Sequence, residues 1–314
     1  MKAVVIDDGE LQLLDRATPD PVLDEVLVEV AGAGVNRADL LQRVGAYPAP
    51  PGWPADIPGL EFSGTVAGAG PLAQDIVGKK VMGIVGGGAQ ATHLITRGDL
   101  CVPVPDGIDL VEAGGIPEVF ITAHDALVQA RVRPGDRVLV QGVGSGVGTA
   151  AIQLAKAMGA TTIGTSRTAG KLDRAAELGL DEPVLAGPKA VEQIGAADVV
   201  LELIGGDYLN TDLEVCSPRA RIVIIGLIAG AEAKADLSTI LRKRLTIIGT
   251  QLRNRPHHEK AATTARFARE VIPLFERGLV QPVVDRIVAL DDVADAYDAI
   301  ESNAPFGKVI LKTG

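Results

Sequence analysis

Residues 137–157 read RVLVQGVGSGVGTAAIQLAKA. An apolar strand-like run enters, a glycine cluster turns the chain, and an apolar helix-like run leaves. A dinucleotide pyrophosphate needs that order: glycines let the backbone approach the phosphates, and the helix N-terminus offers unpaired N–H groups at its positive dipole end. The spaced glycines are Gly142, Gly144, Gly146 and Gly148. No strict G-x-G-x-x-G fits them, because the closing position falls on Val147 or Thr149. Contacts to the cofactor are expected from Gly144, Ser145, Gly146 and Val147.

About twenty residues on, an NAD site would place a carboxylate for the ribose 2′-hydroxyl. This chain reads Gly164-Thr165-Ser166-Arg167 there. A hydroxyl and a cation suit a 2′-phosphate, so NADPH is favoured over NADH. Ser166, Arg167 and Lys171 form the expected clamp; the competing reading is a solvated turn followed by an ordinary helix lysine.

The 314 residues suggest two domains. The chain is 47% hydrophobic but only 3% aromatic, so its core is built from Val, Leu, Ile and Ala. A net charge of −10 argues against nucleic acid as a partner. The short basic cluster Arg242-Lys243-Arg244 reads more simply as a turn between helix and strand. Two cysteines, Cys101 and Cys216, cannot supply a zinc-ligand set. The start, MKAVVIDDGELQLLD, reads as a strand rather than a signal peptide. No apolar run approaches the roughly 18 residues of a membrane span. A cytoplasmic protein with no membrane partner is expected.

Residues 1–117 carry many short apolar or alternating runs bounded by Pro, Gly and Asp, which suggests a compact barrel. The Gly/Pro-dense loop 45–59 holds Tyr47 and the single tryptophan, Trp53. From Pro117 the texture becomes strand–helix alternation, the pattern of a parallel sheet covered on both faces. After Arg255 come a helix, a strand, a short helix and a final strand. LTIIGTQL (245–252) reads as the last strand of the parallel sheet. It is apolar, β-branched and free of proline, so its edge should be joined, most simply in a homodimer with Ile247 and Ile248 near the axis.

Several stretches together resemble medium-chain dehydrogenases/reductases over nearly the whole length: GVNRADLLQRVGAYP (34–48), PGLEFSGTV (58–66), IPEVFITAHDAL (116–127), GSGVGTAAIQLAKAMGA (144–160), ELIGG (202–206) and RLTIIGTQLRNR (244–255). Within that family the chain is similar to the zinc-free quinone oxidoreductases of the zeta-crystallin group, and most to the tumour-suppressor-inducible type, which shares a serine at position 145. The resemblance implies an α/β fold: a GroES-like β-rich catalytic domain from residues 1–117 and 255–314, and a doubly wound parallel Rossmann sheet over 118–254. It also implies the homodimer through strand 245–252. Zinc relatives carry a Cys where this chain has Asn36 and a His where it has Leu60. Glu61 alone cannot hold Zn²⁺, and no metal is expected.

The resemblance places Asn36 beside nicotinamide and substrate; taken alone, Asn36 is an apt N-cap for ADLLQR. It places Tyr47 at the active-site mouth, where the phenol would hydrogen-bond a carbonyl oxygen; the alternative is a half-buried loop tyrosine. Thr122 is implied to touch the nicotinamide carboxamide, or else is ordinary helix surface. Gly205, Leu227 and Leu252 follow the ends of expected strands, where ligands approach such sheets. One departure is noted: relatives often have a tyrosine after the next helix, and here the segment is DEPVLAG. His93, His124, His257 and His258 form no evident catalytic set. The expected activity is NADPH-dependent reduction of a small-molecule quinone, with catalytic roles for Tyr47 and Asn36. The alternatives are an enone or enoyl reductase, and an NADPH-binding protein with little turnover.

Overall fold

The structure, a computed structural model, describes residues 1–314. The chain forms two compact units, one from residues 1–121 and 252–314, the other from 122–251.

The first unit begins with β1 (Lys2–Asp7) and β2 (Glu10–Asp15), an antiparallel hairpin. Its two-residue turn is Asp8-Gly9, with φ of 46° and 82°. Two positive φ values make the tight turn whose twist matches paired strands, and Asp-Gly is the pair that tolerates it. There follow β3 (Glu25–Val35), α1 (Arg37–Arg43), β4 (Glu61–Ala69), β5 (Lys80–Ile84), β6 (His93–Arg97) and β7 (Cys101–Pro103). α2 (Pro117–Gln129) then carries the chain into the second unit.

The second unit runs β8 (Arg137–Val140), α3 (Gly146–Ala157), β9 (Thr161–Ser166), α4 (Ala169–Glu177), β10 (Glu182–Leu185), α5 (Ala190–Ile194), β11 (Ala197–Glu202), α6 (Tyr208–Val215), β12 (Cys216–Ile224), α7 (Leu237–Lys243) and β13 (Thr246–Gly249). Its six strands pair in parallel in the order β10-β9-β8-β11-β12-β13. That is the doubly wound order, which reverses between β8 and β11 and puts ligands at the carboxyl ends of the strands. Leu139, Ile163, Val200 and Ile222 fill one buried layer. α3 needs no polar face: Ala150, Ala151, Ile152, Leu154 and Ala155 are all fully buried.

β13 is shorter than the sequence suggests, ending at Gly249 rather than at 252. Thr250 keeps one more ladder bond, to Ile224, but its hydroxyl is held by Asp125 (3.0 Å) and Gln129 (2.9 Å) of α2. The chain turns out of the sheet there, and Leu252 is buried in the first unit. β13 stands at the sheet's edge. The basic cluster closes α7: Lys243 donates to the carbonyls of Leu213 (2.9 Å) and Glu214 (2.6 Å), and Arg244 takes a left-handed φ of 55°.

The chain returns to the first unit with α8 (His257–Glu270), α9 (Ile272–Glu276), β14 (Val284–Ala289), α10 (Val293–Glu301) and β15 (Lys308–Lys312). β15 pairs antiparallel with β3, Val309 opposite Val35, in a seven-stranded sheet. Alternating Val26, Val28 and Val30 of β3 pack in one core with Phe62, Val309 and Leu311, so the two chain ends share it. No helix is long and apolar enough to cross a membrane.

Candidate active site

In the second unit the loop 141–145 joins β8 to α3. Gly142 has a φ of 71°, where a side chain would be strained. A Cβ on Gly148 would lie 2.7 Å from the carbonyl oxygens of Gly142 and Val143, so glycine is what lets helix and loop touch. Ser145 caps α3: its hydroxyl accepts from the Gly148 N–H (3.0 Å) and donates to Gly142 O (2.9 Å). Ser145, expected to contact the cofactor, thus also shapes the loop. The N–H groups of Gly146 and Val147, in the first turn of α3, have no acceptor inside the helix.

A Cβ on Gly144 would stand 2.7 Å from Cδ of Lys171, so that lysine's stem lies across the glycine loop. Ser166 ends β9, buried, its hydroxyl accepting from the Thr168 N–H (3.2 Å); Arg167 follows, exposed. The three expected clamp residues thus sit at the carboxyl ends of β8 and β9 with no carboxylate at the tip of β9. The Gly-rich cradle fits a dinucleotide.

Beneath it lies a polar chain that sequence reasoning missed. Thr165 donates to Gln141 (2.6 Å), and Gln141 donates to Asp212 (2.8 Å). Burial, then the neighbouring Glu202, pushes the Asp212 carboxyl well above the usual carboxylate range. Glu202 accepts from the N–H groups of Gly205 (2.7 Å) and Ile204. The network ties the ends of β8, β9 and β11 together and holds Gly205 in its left-handed turn, φ 77°. Leu227, just past β12, is exposed.

The first unit holds a second polar centre. Glu61 is fully buried, and its Oε1 takes the Lys308 ammonium (2.6 Å) and the Asn36 amide (3.0 Å). Its Oε2 takes the N–H of Glu118 (2.8 Å). Lys308 completes its shell with Asn36 Oδ1 (2.7 Å) and Val35 O (3.0 Å). Asn36 stands at the N-cap of α1, where its backbone N–H reaches Asp39 (2.8 Å). Its side chain, however, is turned into the cluster, and the other amide hydrogen goes to Gly34 O (3.2 Å). Leu60 is apolar, Glu61's oxygens are engaged, and an ammonium already supplies the positive charge. No three His, Cys, Asp or Glu side chains gather elsewhere in a metal-holding group.

Around this cluster stand residues from the loop 45–59 and from the chain's return. Arg253 is buried and binds Gly86 O (2.9 Å), Tyr47 O (2.7 Å) and Gln42 Oε1. Its guanidinium stacks 4.8 Å over the half-buried Tyr47 ring. The Lys260 ammonium sits 5.6 Å over the Trp53 ring. Burial raises the Asp39 carboxyl to about 6. Burial, then the charge of Glu61, raises Glu118 to about 8. Burial lowers Lys260, against the pull of Glu118. Thr122 is buried on α2, and His257 pairs with Asp99 (2.8 Å) rather than with any of the site residues. Neither Arg253 nor Lys260 was singled out by sequence reasoning, although Arg253 lies in the motif RLTIIGTQLRNR.

Comparison with known proteins adds the following. Residues 23–106 match the alcohol dehydrogenase GroES-like domain, and residues 146–269 match the zinc-binding dehydrogenase model. The chain is 31% identical over 309 residues to polyketide synthase GfsB of Streptomyces halstedii, covering 96% of this chain but only 5% of that much longer protein. It is 27% identical over 310 residues to quinone oxidoreductase-like protein 2 of Bos taurus, covering 95% of this chain and 88% of the relative. Among solved structures it is similar to the quinone oxidoreductase from Thermus thermophilus, a structure also determined in complex with NADPH. The TM-score is 0.86 at 29% identity, and both chains are covered completely. With the GroES-like and Rossmann units both present, the chain is an oxidoreductase and belongs to the medium-chain dehydrogenase/reductase family.

Proposed function

We propose that this oxidoreductase reduces quinones with NADPH and uses no metal. The observation that carries the reading is the cluster of Lys308, Glu61 and Asn36, an internal ion pair beside Asn36 and Leu60, the positions where the resemblance gives zinc relatives their Cys and His. Chemistry in such a site falls to the nicotinamide and to hydrogen bonding by the chain.

NADPH, when bound, supplies a hydride equivalent to the acceptor. The N–H groups of Gly146 and Val147 hold its pyrophosphate, with Ser145 shaping the loop over Gly144. Ser166, Arg167 and Lys171 take the 2′-phosphate. The backbone at Gly205, Leu227 and Leu252 and the hydroxyl of Thr122 complete the cofactor contacts. Asn36 spends both amide hydrogens inside the cluster, so its work is to fix Glu61 and Lys308. Tyr47 offers its phenol to the acceptor's carbonyl oxygen.

The protein works as a homodimer that continues the parallel sheet across β13. Ile247 is 39% exposed on that edge, and Leu237 and Leu241 stand exposed one turn apart on neighbouring α7.

The reading is tested by NADPH oxidation against para-quinones, ortho-quinones, enones and aldehydes. Turnover confined to quinones supports it. Preference for enones replaces it with an enone reductase, and no turnover with any acceptor leaves an NADPH-binding protein.

A further inference from the structure

Two lysines of the first unit are almost equally buried, Lys308 at 4% exposure and Lys260 at 5%. Their surroundings differ in kind. The Lys308 ammonium has three oxygen acceptors, Glu61, Asn36 and Val35. The Lys260 ammonium faces an aromatic ring and makes no hydrogen bond or ion pair within the chain. Burial of the stem takes the ammonium partly out of water, at a cost, while its nitrogen still reaches solvent. Arg253 adds to that cost, and Glu118 offsets part of it when ionised. Lys308 is a structural lysine; Lys260 keeps its hydrogen-bond donors for something that is not protein.

The surroundings say what that is. Tyr47 and Trp53, both on the loop 45–59, present flat rings, one stacked by Arg253 and one by Lys260. Gly86 keeps Trp53 in place, since a Cβ there would stand 2.7 Å from Cγ of the indole. Aromatic rings each with a cation over one face make a mixed aromatic and cationic lining, which suits a planar ring that bears an oxygen on which negative charge builds.

We propose that Lys260 binds the acceptor oxygen that becomes anionic during reduction. The proposal rests on the quinone-reductase reading. In the balanced step, NADPH, a quinone and one proton give NADP⁺ and a hydroquinone. The hydride carries two electrons and a proton to the ring system, so that one quinone oxygen becomes a hydroxyl. The other becomes an anion, which Lys260 holds by a charge-assisted hydrogen bond until a solvent proton neutralises it. Lys260 itself remains an ammonium throughout.

The test uses the full chain and the variants Lys260→Met and Lys260→Arg. Lys260→Met should lower kcat/KM for a para-quinone by about a hundredfold, the size of losing one donor to a developing oxyanion. Its Kd for NADPH should stay within about twofold, and Lys260→Arg should recover most of the loss because it restores the charge. A second readout needs no turnover: ionised 4-nitrophenol, a phenolate probe, should bind Lys260→Met about tenfold more weakly than the parent protein and bind Lys260→Arg nearly as well. A folded Lys260→Met variant with unchanged phenolate affinity and unchanged kcat/KM overturns the proposal. Should that variant fail to fold, Lys260→Gln carries the same two expectations. A parent protein that turns over no quinone overturns the functional reading alone, because the phenolate measurement still decides whether Lys260 is an anion-binding group.

Discussion

Lys308 places its ammonium 2.6 Å from Glu61 Oε1, in a site where the carboxylate is fully buried and the lysine nearly so. The last strand of the chain thereby neutralises a charge presented by β4. Asn36 braces both partners, and Gly34 leaves room for the carboxylate: a Cβ there would clash with Glu61 and stand 2.8 Å from Gly114 O.

Breaking that pair from one side should be severe. Lys308→Met leaves a buried carboxylate without its cation and should destabilise the protein by about 3–5 kcal/mol in urea unfolding. Adding Glu61→Gln should return a large part of that loss, because the uncompensated charge is removed. A single variant within about 1 kcal/mol of the parent would show that the pair is not what holds the cluster.

The two raised carboxyls give a signed pH dependence. Burial moves Asp39 from 3.8 to about 6, and burial with Glu61 moves Glu118 from 4.5 to about 8. Each group binds its proton more tightly folded than unfolded. Its stabilising contribution is whole below the unfolded value and is lost as pH rises through the folded one. Glu118→Gln cannot lose a proton, so its Tm relative to the parent should rise between about pH 5 and 9. A gain of several degrees is expected, at roughly 2–4 °C per kcal/mol for a chain of this size. A difference that stays flat across the window contradicts the assignment.

Cofactor choice should depend on Arg167. A charge-assisted hydrogen bond contributes about 1.5–3 kcal/mol, so Arg167→Ala should weaken NADPH binding roughly tenfold to a hundredfold and leave NADH little changed. Fluorescence titration with both cofactors measures this; equal losses would remove Arg167 from the 2′-phosphate site.

Assembly can be weighed directly. Light scattering at micromolar concentration should give twice the 32.5 kDa of one chain. Thr250→Pro should lower association, since proline deletes the N–H that Thr250 gives to Ile224 at the sheet edge. A parent protein with the mass of one chain rules the dimer out.

What could be read in advance followed local chemistry. Strand, glycine loop and helix at 137–157 lie consecutively, and Gly142 and Gly148 answer to backbone requirements within the loop itself. The Asn36 cluster answers to no local pattern. Lys308 and Asn36 lie 272 residues apart, and only the pairing of β15 with β3 brings them together. Lys260 sits among charged and small residues of α8, a composition that reads as a solvated helix face; its contact with the Trp53 ring is made across more than two hundred residues of sequence. Ser145 has a second role that its place in the glycine loop does not announce: its hydroxyl is also the N-cap of α3. At Thr250 the apolar pattern carried on past the point where side chains of α2 take the chain off the ladder.

The central claim, NADPH-dependent quinone reduction without metal, is tested most directly by following NADPH consumption with a para-quinone before and after exhaustive chelation, with the zinc content of the same sample measured. The account predicts unchanged turnover, no stoichiometric zinc and poorer turnover with NADH. Turnover that is lost on chelation and restored by Zn²⁺ would contradict it.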